Sequence, residues 1–391
     1  MLAKNRVIFS IAAAIIIFLL AAAAIFWTRG FKPDFKSGQI KRTGIIVASS
    51  IPTGAQVYLD DRLTSATNTN IGFLEPKIYK VKIEKDGYTI WQKEVEVKAD
   101  LATEIKVLLF PLAPQIKPLT STGAVNPSLS PDSAKIVYGV SGERGGVYLL
   151  LMGQTPLPFR QDTRLLAKNQ PNFDFSKATF LFGPDSKQVI AQFTNEKNEI
   201  VANLLIDTDK SEQEPRDITG SLTATLTSWQ DQINARAQTQ ALTLPQNIKD
   251  ATAEASVNQK LETTQLPTTN YQLNYFPTGL IFSPDEEKIL FKNKEGKYKI
   301  YDSKNKKEYT LPNFSDLVNV SWYPDSNHLV IIRKDLVTII ETDGTNNMTV
   351  FSGKFEDGFV FAGPTGDRLI ILTTLTQTES TPANLYSINL R

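Results

Sequence analysis

Hydrophobic and polar positions alternate differently in three parts of the chain. Residues 7–27 read VIFSIAAAIIIFLLAAAAIFW, an unbroken run of 21 residues without a charge, from Val7 to Trp27. A helix rising about 1.5 Å per residue crosses a hydrocarbon core of about 30 Å at that length. Trp27 closes the run, where an amphipathic ring prefers the headgroup level. Ala21, Ala22, Ala23 and Ala24 also offer small residues for cleavage of a leader. The apolar run continues past them through Ile25 and Phe26, which favours a retained anchor. The pattern predicts a transmembrane anchor over residues 1–30 and a linker over 31–43. Beyond it, residues 44–112 change to short segments of period two separated by turn residues. GIIVASSIPTGAQVYLDD gives one strand, a Pro-Thr-Gly turn and a second strand with Val57 and Leu59 on one face. IYKVKIEKDGYTIWQKEVEV puts Tyr79, Val81 and Ile83 on one side of the next, and Asp86-Gly87 predicts a hairpin turn. With EIKVLLF this makes five or six strands, the size of a small antiparallel β-sandwich.

The third part, residues 113–391, repeats itself. SLSPDSAKIVYGV, FLFGPDSKQVIAQF, LIFSPDEEKILFKN, VSWYPDSNHLVIIR and VFAGPTGDRLIILT each run from apolar residues through Pro-Asp or a variant into an alternating apolar strand. Their prolines, Pro131, Pro184, Pro284, Pro324 and Pro364, are separated by 53, 100, 40 and 40 residues. A hairpin unit recurring at about 40 residues is the spacing of propeller blades, which bury their faces only by stacking. A further strand follows each hairpin: GVYLLLM, EIVANLLID, KYKIYD, LVTIIETD and NLYSINL. The step of 100 is irregular. It holds SLTATLTSWQDQINARAQTQAL, with Leu222, Leu226, Trp229, Ile233 and Ala237 at helical spacing, and then the polar LPQNIKDATAEASVNQKLETTQ. This predicts a helical insertion at about residues 217–266, or a degenerate blade. An apolar stripe on such a helix usually packs against its host; long insertions into repeats are also common partner sites.

Two resemblances follow from these motifs. Residues 44–112 resemble the PEGA domain family. Pro52-Thr53-Gly54-Ala55 before QVYLDD stands where the family has its Pro-Glu-Gly-Ala turn, and IYKVKIEKDGY resembles its tyrosine-rich strand ending in Gly-Tyr. The glycine usual before that strand is missing, and Lys77 stands near its place. The resemblance implies a non-catalytic module of an envelope or surface protein. The SPD repeats resemble the TolB-like and WD40-like propeller repeats of bacterial envelope proteins, without the GH…WD signature of true WD40 repeats. Hydrolases gated by TolB-type propellers carry a Gly-x-Ser-x-Gly elbow and an α/β domain, and this chain has neither.

Composition narrows the chemistry further. The net charge of +1 leaves no overall footprint for nucleic acid. With no cysteine there is no thiol nucleophile, disulfide or thiolate zinc site, and His328 is the one histidine. Asp132, Asp185, Asp285 and Asp325 occupy the same place in four repeats, which suits turn-capping carboxylates, because a catalytic acid is needed once. Asp60 and Asp61 read as a solvated turn pair, and Trp91, Trp229 and Trp322 as core before sugar platforms. No catalytic, cofactor-binding or metal-binding residue is expected. The basic residues around the anchor point both ways: Lys4 and Arg6 precede it, and Arg29, Lys32, Lys36, Lys41 and Arg42, with Asp34, follow it. Counting positive charge would place the large domains in the cytoplasm; the PEGA resemblance implies the outside.

The whole chain is expected to be all-β, with an N-terminal transmembrane helix, a small antiparallel sandwich and a five- or six-bladed propeller carrying a helical insertion. The role expected is that of a non-catalytic, single-pass cell-envelope protein, extracytoplasmic beyond its anchor, binding a protein or cell-wall glycan. A carbohydrate-active enzyme or lectin using the propeller funnel, and a cytoplasm-facing membrane scaffold, are the alternatives. Ligand identity, blade count and oligomeric state stay open at this level.

Overall fold

A computed structural model of the chain describes all residues except 1, 29–30, 35–38, 154–162, 198, 243, 247, 249–272, 357 and 376–381. It separates into two compact units, Met1–Ala113 and Pro114–Arg391.

In the first unit a helix, α1 (Leu2–Thr28), forms over the expected anchor. Its described apolar side chains, Phe9 and Ile17 among them, are exposed. The longest unbroken run of described side chains there is residues 11–22, and among the described residues no helix is long and apolar enough to cross a membrane. The expected span over residues 7–27 is therefore not carried by the described part of α1 alone, and the side chain of Trp27 lies outside it. The expected linker is not simply an open tether. β1 (Phe31–Asp34) pairs antiparallel with β2 (Gln39–Arg42), with Phe31 opposite Arg42.

Seven strands follow where five or six were expected: β3 (Gly44–Ile51), β4 (Gln56–Leu59), β5 (Arg62–Ala66), β6 (Thr69–Leu74), β7 (Ile78–Glu84), β8 (Trp91–Glu96) and β9 (Ala102–Leu108). They make two sheets, ordered β6-β3-β9 and β5-β4-β7-β8. Inward alternation buries Ile46 and Ala48 of β3 against Val57, Val81, Ile83 and Trp91. The expectation of a purely antiparallel sandwich is corrected at one pair: β9 runs parallel to β3, from Ile45 opposite Ala102 to Ile51 opposite Leu108. Between the two strands the chain passes through β4 and β5 of the other sheet, adds β6 to this one, and returns through β7 and β8, so that β9 re-enters at the end where β3 began, as a parallel pair requires. Asp86-Gly87 does make a turn, with Gly87 at φ 79°, but pairing resumes only at Ile83 opposite Trp91. Tyr88 and Thr89 between them pair instead with Pro111 and Phe110.

The second unit opens with β10 (Ile116–Pro118) and then builds five sheets. The first is β11 (Val125–Leu129), β12 (Lys135–Val140), β13 (Gly146–Leu151) and β14 (Thr163–Lys168); the second is β15 (Thr179–Phe182), β16 (Gln188–Thr194), β17 (Ile200–Asp207) and β18 (Arg216–Asp217). Helix α2 (Leu222–Leu242) intervenes. The third sheet is β19 (Ile281–Phe282), β20 (Lys288–Lys292), β21 (Tyr298–Asp302) and β22 (Lys307–Thr310). The fourth is β23 (Leu317–Trp322), β24 (His328–Arg333), β25 (Leu336–Glu341) and β26 (Met348–Ser352). The last consists of β27 (Val360–Ala362), β28 (Arg368–Thr373) and β29 (Asn384–Asn389), with β10 as its outer strand. All these pairs are antiparallel, and every third strand read from the sequence is present.

The central strands are buried on both sides, so they read as apolar runs instead of alternating ones. Residues of opposite parity serve different neighbours. Val137 of β12 packs with Phe180, Val189 and Ala191 of the second sheet, whereas Ile136, Tyr138 and Val140 pack with Phe359, Ile370 and Leu385 of the fifth. Leu290 and Ile300 share a core with Leu329, Ile331 and Ile340. Between the second and third sheets that direct contact is replaced. Leu222, Leu226 and Trp229 of α2 cover Ile190 and Leu205 of the second sheet, and Leu244 and Ile248 cover Ile289, Phe291 and Tyr301 of the third. The helical insertion expected over residues 217–266 is thus a packing element over its first part; residues 249–266 lie outside the described residues.

Trp229 also explains a glycine. A Cβ on Gly183 would stand 3.0 Å from the Trp229 ring, so the turn of the second sheet stays bare to let the helix approach. Trp229→Ala is expected to destabilise the unit by about 3–5 kcal/mol, and Gly183→Ala by about 1–3 kcal/mol through overpacking. Urea unfolding of the purified chain checks both; unchanged midpoints would mean that α2 is not part of the folded core.

Candidate functional site

The five P-D-type turns are the first place to look for chemistry, and their backbone geometry is the same five times. In each, the residue two after the proline lies in the left-handed region: Ser133, Ser186, Glu286 and Ser326 at φ 57° to 59°, and Gly366 at 63°. In each, its N–H donates to the carbonyl three residues back, as from Ser186 to Gly183 at 3.0 Å and from Ser326 to Tyr323 at 3.1 Å. Proline at the second place and a left-handed residue at the fourth is the pattern of a type I turn closing a hairpin. The aspartate caps it. Asp132, Asp185, Asp285 and Asp325 each accept the N–H two residues on, at 2.9 to 3.1 Å. In the fifth copy the Thr365 hydroxyl donates to Asp367 at 2.5 Å.

The same turns join neighbouring sheets, which the sequence did not disclose. The N–H of Asp132 donates to Ser186 Oγ in the next sheet at 3.2 Å, and that of Asp285 to Ser326 Oγ at 3.1 Å. Lys135 Nζ reaches the Ser186 carbonyl at 3.0 Å and Thr208 Oγ1 at 2.9 Å. From the fourth to the fifth sheet the link is the Tyr323 hydroxyl donating to the Gly366 carbonyl. Where the third sheet would receive a link from the second, α2 supplies one, Gln240 Nε2 to Glu286 Oε1 at 3.2 Å.

His328 follows the fourth turn. Its Nδ1 lies 2.6 Å from Asp325 Oδ2, with the ring edge-on to Tyr323 at 6.2 Å between centroids. The imidazole is buried at the junction of two sheets, and burial pushes the Tyr323 phenol up. Burial would also raise Asp325, but the His328 ring and the N–H groups of Asn327 and His328 outweigh it and hold the carboxyl below its ordinary value. Asp285 is held low in the same way, partial burial being outweighed by the Ser283 hydroxyl, the Glu287 N–H and nearby Lys288.

The other sequence candidates are occupied by packing or pairing. Trp91 lies in the sandwich core and Trp229 under α2, while Trp322 Nε1 donates to the Ile281 carbonyl at 2.9 Å. Asp60 and Asp61, at φ 49° and 62°, form the two-residue turn between β4 and β5. Asp60 is paired with Lys77 at 2.6 Å, which with the Lys80 N–H holds its carboxyl low, and Asp61 with Lys80 at 3.4 Å. Among the described residues no group of three or more acidic or histidine side chains could hold a metal ion.

What sequence reasoning missed is a set of exposed apolar residues. Val201 follows the turn between β16 and β17, Phe276 precedes β19, Val318 is the second residue of β23 and Leu375 follows β28. First strands run toward the P-D turns and second strands away from them, so Val201, Val318 and Leu375 sit at the strand ends remote from those turns. Phe276 does not, because the Tyr275 hydroxyl donates to the Phe182 carbonyl beside the second P-D turn. Val201 is the extra residue of an irregularity between Thr194 opposite Ile200 and Phe193 opposite Ala202. Val318 is likewise skipped between Leu317 opposite Arg333 and Asn319 opposite Ile332. A register irregularity is set by the partner strand, so period-two reading could not expose either residue.

Ser326→Ala is expected to cost about 1 kcal/mol by removing the intersheet acceptor, whereas Ser326→Gly should come out nearer neutral, because glycine relieves a left-handed strain of about 1–2 kcal/mol. Equal losses for both, read as urea midpoints, would show that the link contributes nothing. A carboxyl held below its unfolded value of about 3.9 stabilises the fold above that pH and ceases to as pH falls toward the folded value. The thermal midpoint should therefore hold above about pH 5 and drop below about pH 4, and Asp325→Asn should flatten that drop.

Likenesses to solved structures are weak. A protein described as a TolB from Agrobacterium tumefaciens matches at 13% identity and TM-score 0.22, over 69% of this chain and 74% of that one. TolB from Acinetobacter baumannii matches at 12% identity and TM-score 0.25, over 80% of this chain and 60% of its own length, so the match spans less than two thirds of that protein. An oligogalacturonate lyase in complex with manganese matches at 8% identity and TM-score 0.31, over 80% and 83%. TM-scores this low carry no weight for fold or function, which rest on the strand pairing and side-chain contacts described above. No curated protein matches the chain. The match that bears on the first unit is to a family: residues 43–112 match the PEGA domain, and the two-sheet sandwich built by β3 to β9 is that domain.

Proposed function

We propose that the chain is a non-catalytic, membrane-tethered envelope protein. In this reading the second unit is a five-bladed propeller in which α2 takes the place of a sixth blade, and its face remote from the P-D turns binds a protein. The observation that carries the binding face is the group Val201, Val318 and Leu375, exposed at the same strand ends. Large apolar side chains gathered at one rim mark a protein contact more readily than a glycan site, which stacks aromatic rings around polar groups. The opposite rim spends its carboxylates and hydroxyls on turn capping and on links between blades. The PEGA match supports an envelope setting, and α1, 27 residues long over an uncharged run of 21, supports a tether. The polypeptide beyond α1 would be extracytoplasmic.

A photo-crosslinking amino acid placed at Leu375 or Val318 in the full-length protein, in cells, is expected to trap a discrete partner band. Val201→Asp should weaken that band about 10-fold, the size expected when a charge enters a contact worth about 1.4 kcal/mol. A crosslinker at Lys187, beside the second P-D turn, should trap none. Bands from Lys187 alone would reverse the assignment of the face.

A further inference from the structure

Exposed large hydrophobics are spread unevenly over the rest of the chain. Outside α1, and among the described residues, eight lie within residues 43–112 and six within residues 114–391, although the second segment is much the longer. Three of the eight are brought together by strand register. Gly44 and Ile46 point inward, so Ile45 between them points out, 41% exposed. Its N–H donates to the Leu101 carbonyl at 3.1 Å, and Leu101 is 56% exposed. On the other side β6 bulges: Gly44 faces Leu74 and Ile46 faces Ile71, leaving Gly72 and Phe73 both opposite Ile45. Phe73, at φ 57°, is 43% exposed. Phe73, Ile45 and Leu101 therefore form an apolar row across one end of the β6-β3-β9 sheet.

That end is firmly built and tied to α1. A Cβ on Gly44 would lie 2.4 Å from the Lys98 carbonyl oxygen, so the segment leading to Leu101 wraps closely round the start of β3. Asp100 N–H donates to the Thr43 carbonyl at 3.0 Å, and Arg42 Nη1 lies 2.8 Å from Asp100 Oδ2. Arg42 is in turn the β2 partner of Phe31, three residues beyond the last residue of α1. Paired strands stand about 5 Å apart. The β1–β2 hairpin thus returns the chain almost to the end of α1 before the PEGA domain begins, where an open stretch of that length would reach about 50 Å.

We propose that the Phe73–Ile45–Leu101 row is an interfacial contact that seats the PEGA domain in the headgroup region of the membrane entered by α1. The proposal rests on the tether reading above. The hairpin holds this end, and not the opposite one at Leu112, at the point where α1 would leave the hydrocarbon. Apolar side chains in that position are buried at the headgroup–acyl boundary without any partner protein.

The chain has no cysteine, so single nitrobenzoxadiazole labels can be placed by Phe73→Cys, Leu101→Cys, Leu112→Cys and Ile17→Cys in the full-length protein. The labelled proteins are reconstituted in phosphatidylcholine–phosphatidylglycerol vesicles. A headgroup nitroxide lipid should cut emission at positions 73 and 101 about twofold and leave 112 unchanged, while a mid-chain nitroxide lipid should quench position 17. Quenching at 17 with none at 73 and 101 would overturn the seating and leave the tether standing. Loss of quenching at 17 as well would remove the tether and the seating together. Emission at 73 and 101 that changes only as protein density in the vesicles rises would show a second copy on the row, and would also overturn the proposal.

Discussion

Each four-stranded sheet of the second unit is apolar on both faces, so none can be stable until a neighbour covers each side. That single constraint accounts for most of the architecture. The parity of β12 sends Val137 to one neighbour and Ile136 and Tyr138 to the other, and the fifth sheet must then meet the first. Pairing of β10 with β29 brings the start and the end of the unit into the same sheet, so the strand that completes the last sheet is contributed by the first residues of the unit. Where the chain departs from the repeat, the constraint remains and a helix satisfies it, with Trp229 against one sheet and the following Leu244 and Ile248 against the next.

How much of this could be read from the chain depended on the range of the interaction. The P-D turns were legible because their chemistry is local: proline sets φ in five copies, and aspartate caps the N–H two residues on in four of them. Their links to neighbouring sheets were not, since Ser186 Oγ and Ser326 Oγ meet backbone groups 54 and 41 residues away. The same limit hid β10, three residues long, whose only mark is its partner at the far end of the chain. The helical stripe of α2 was visible, and that it packs instead of presenting a partner site became clear only from what lies beneath it.

The PEGA domain divides along the same line. Its core positions and the Asp60-Asp61 turn follow from alternation and turn chemistry, and the domain itself from two short motifs. The parallel entry of β9 does not, because alternation is indifferent to strand direction. Gly87 turns where expected, yet Tyr88 and Thr89 then pair with the segment after β9, a contact that no hairpin rule contains.

The repeated acids are absorbed by turns, while exposed apolar groups collect where the register slips. Val201 and Val318 are unpaired by irregularities in β16–β17 and β23–β24, and Phe73 lies in the bulge of β6. A bulge releases one residue from the in–out alternation, so a side chain can be apolar and outward without disturbing the core beneath. Both proposed surfaces, the strand ends remote from the P-D turns and the Phe73 end of the sandwich, use that device. This is why a strictly periodic reading predicts the scaffold well and passes over the residues that would touch something else.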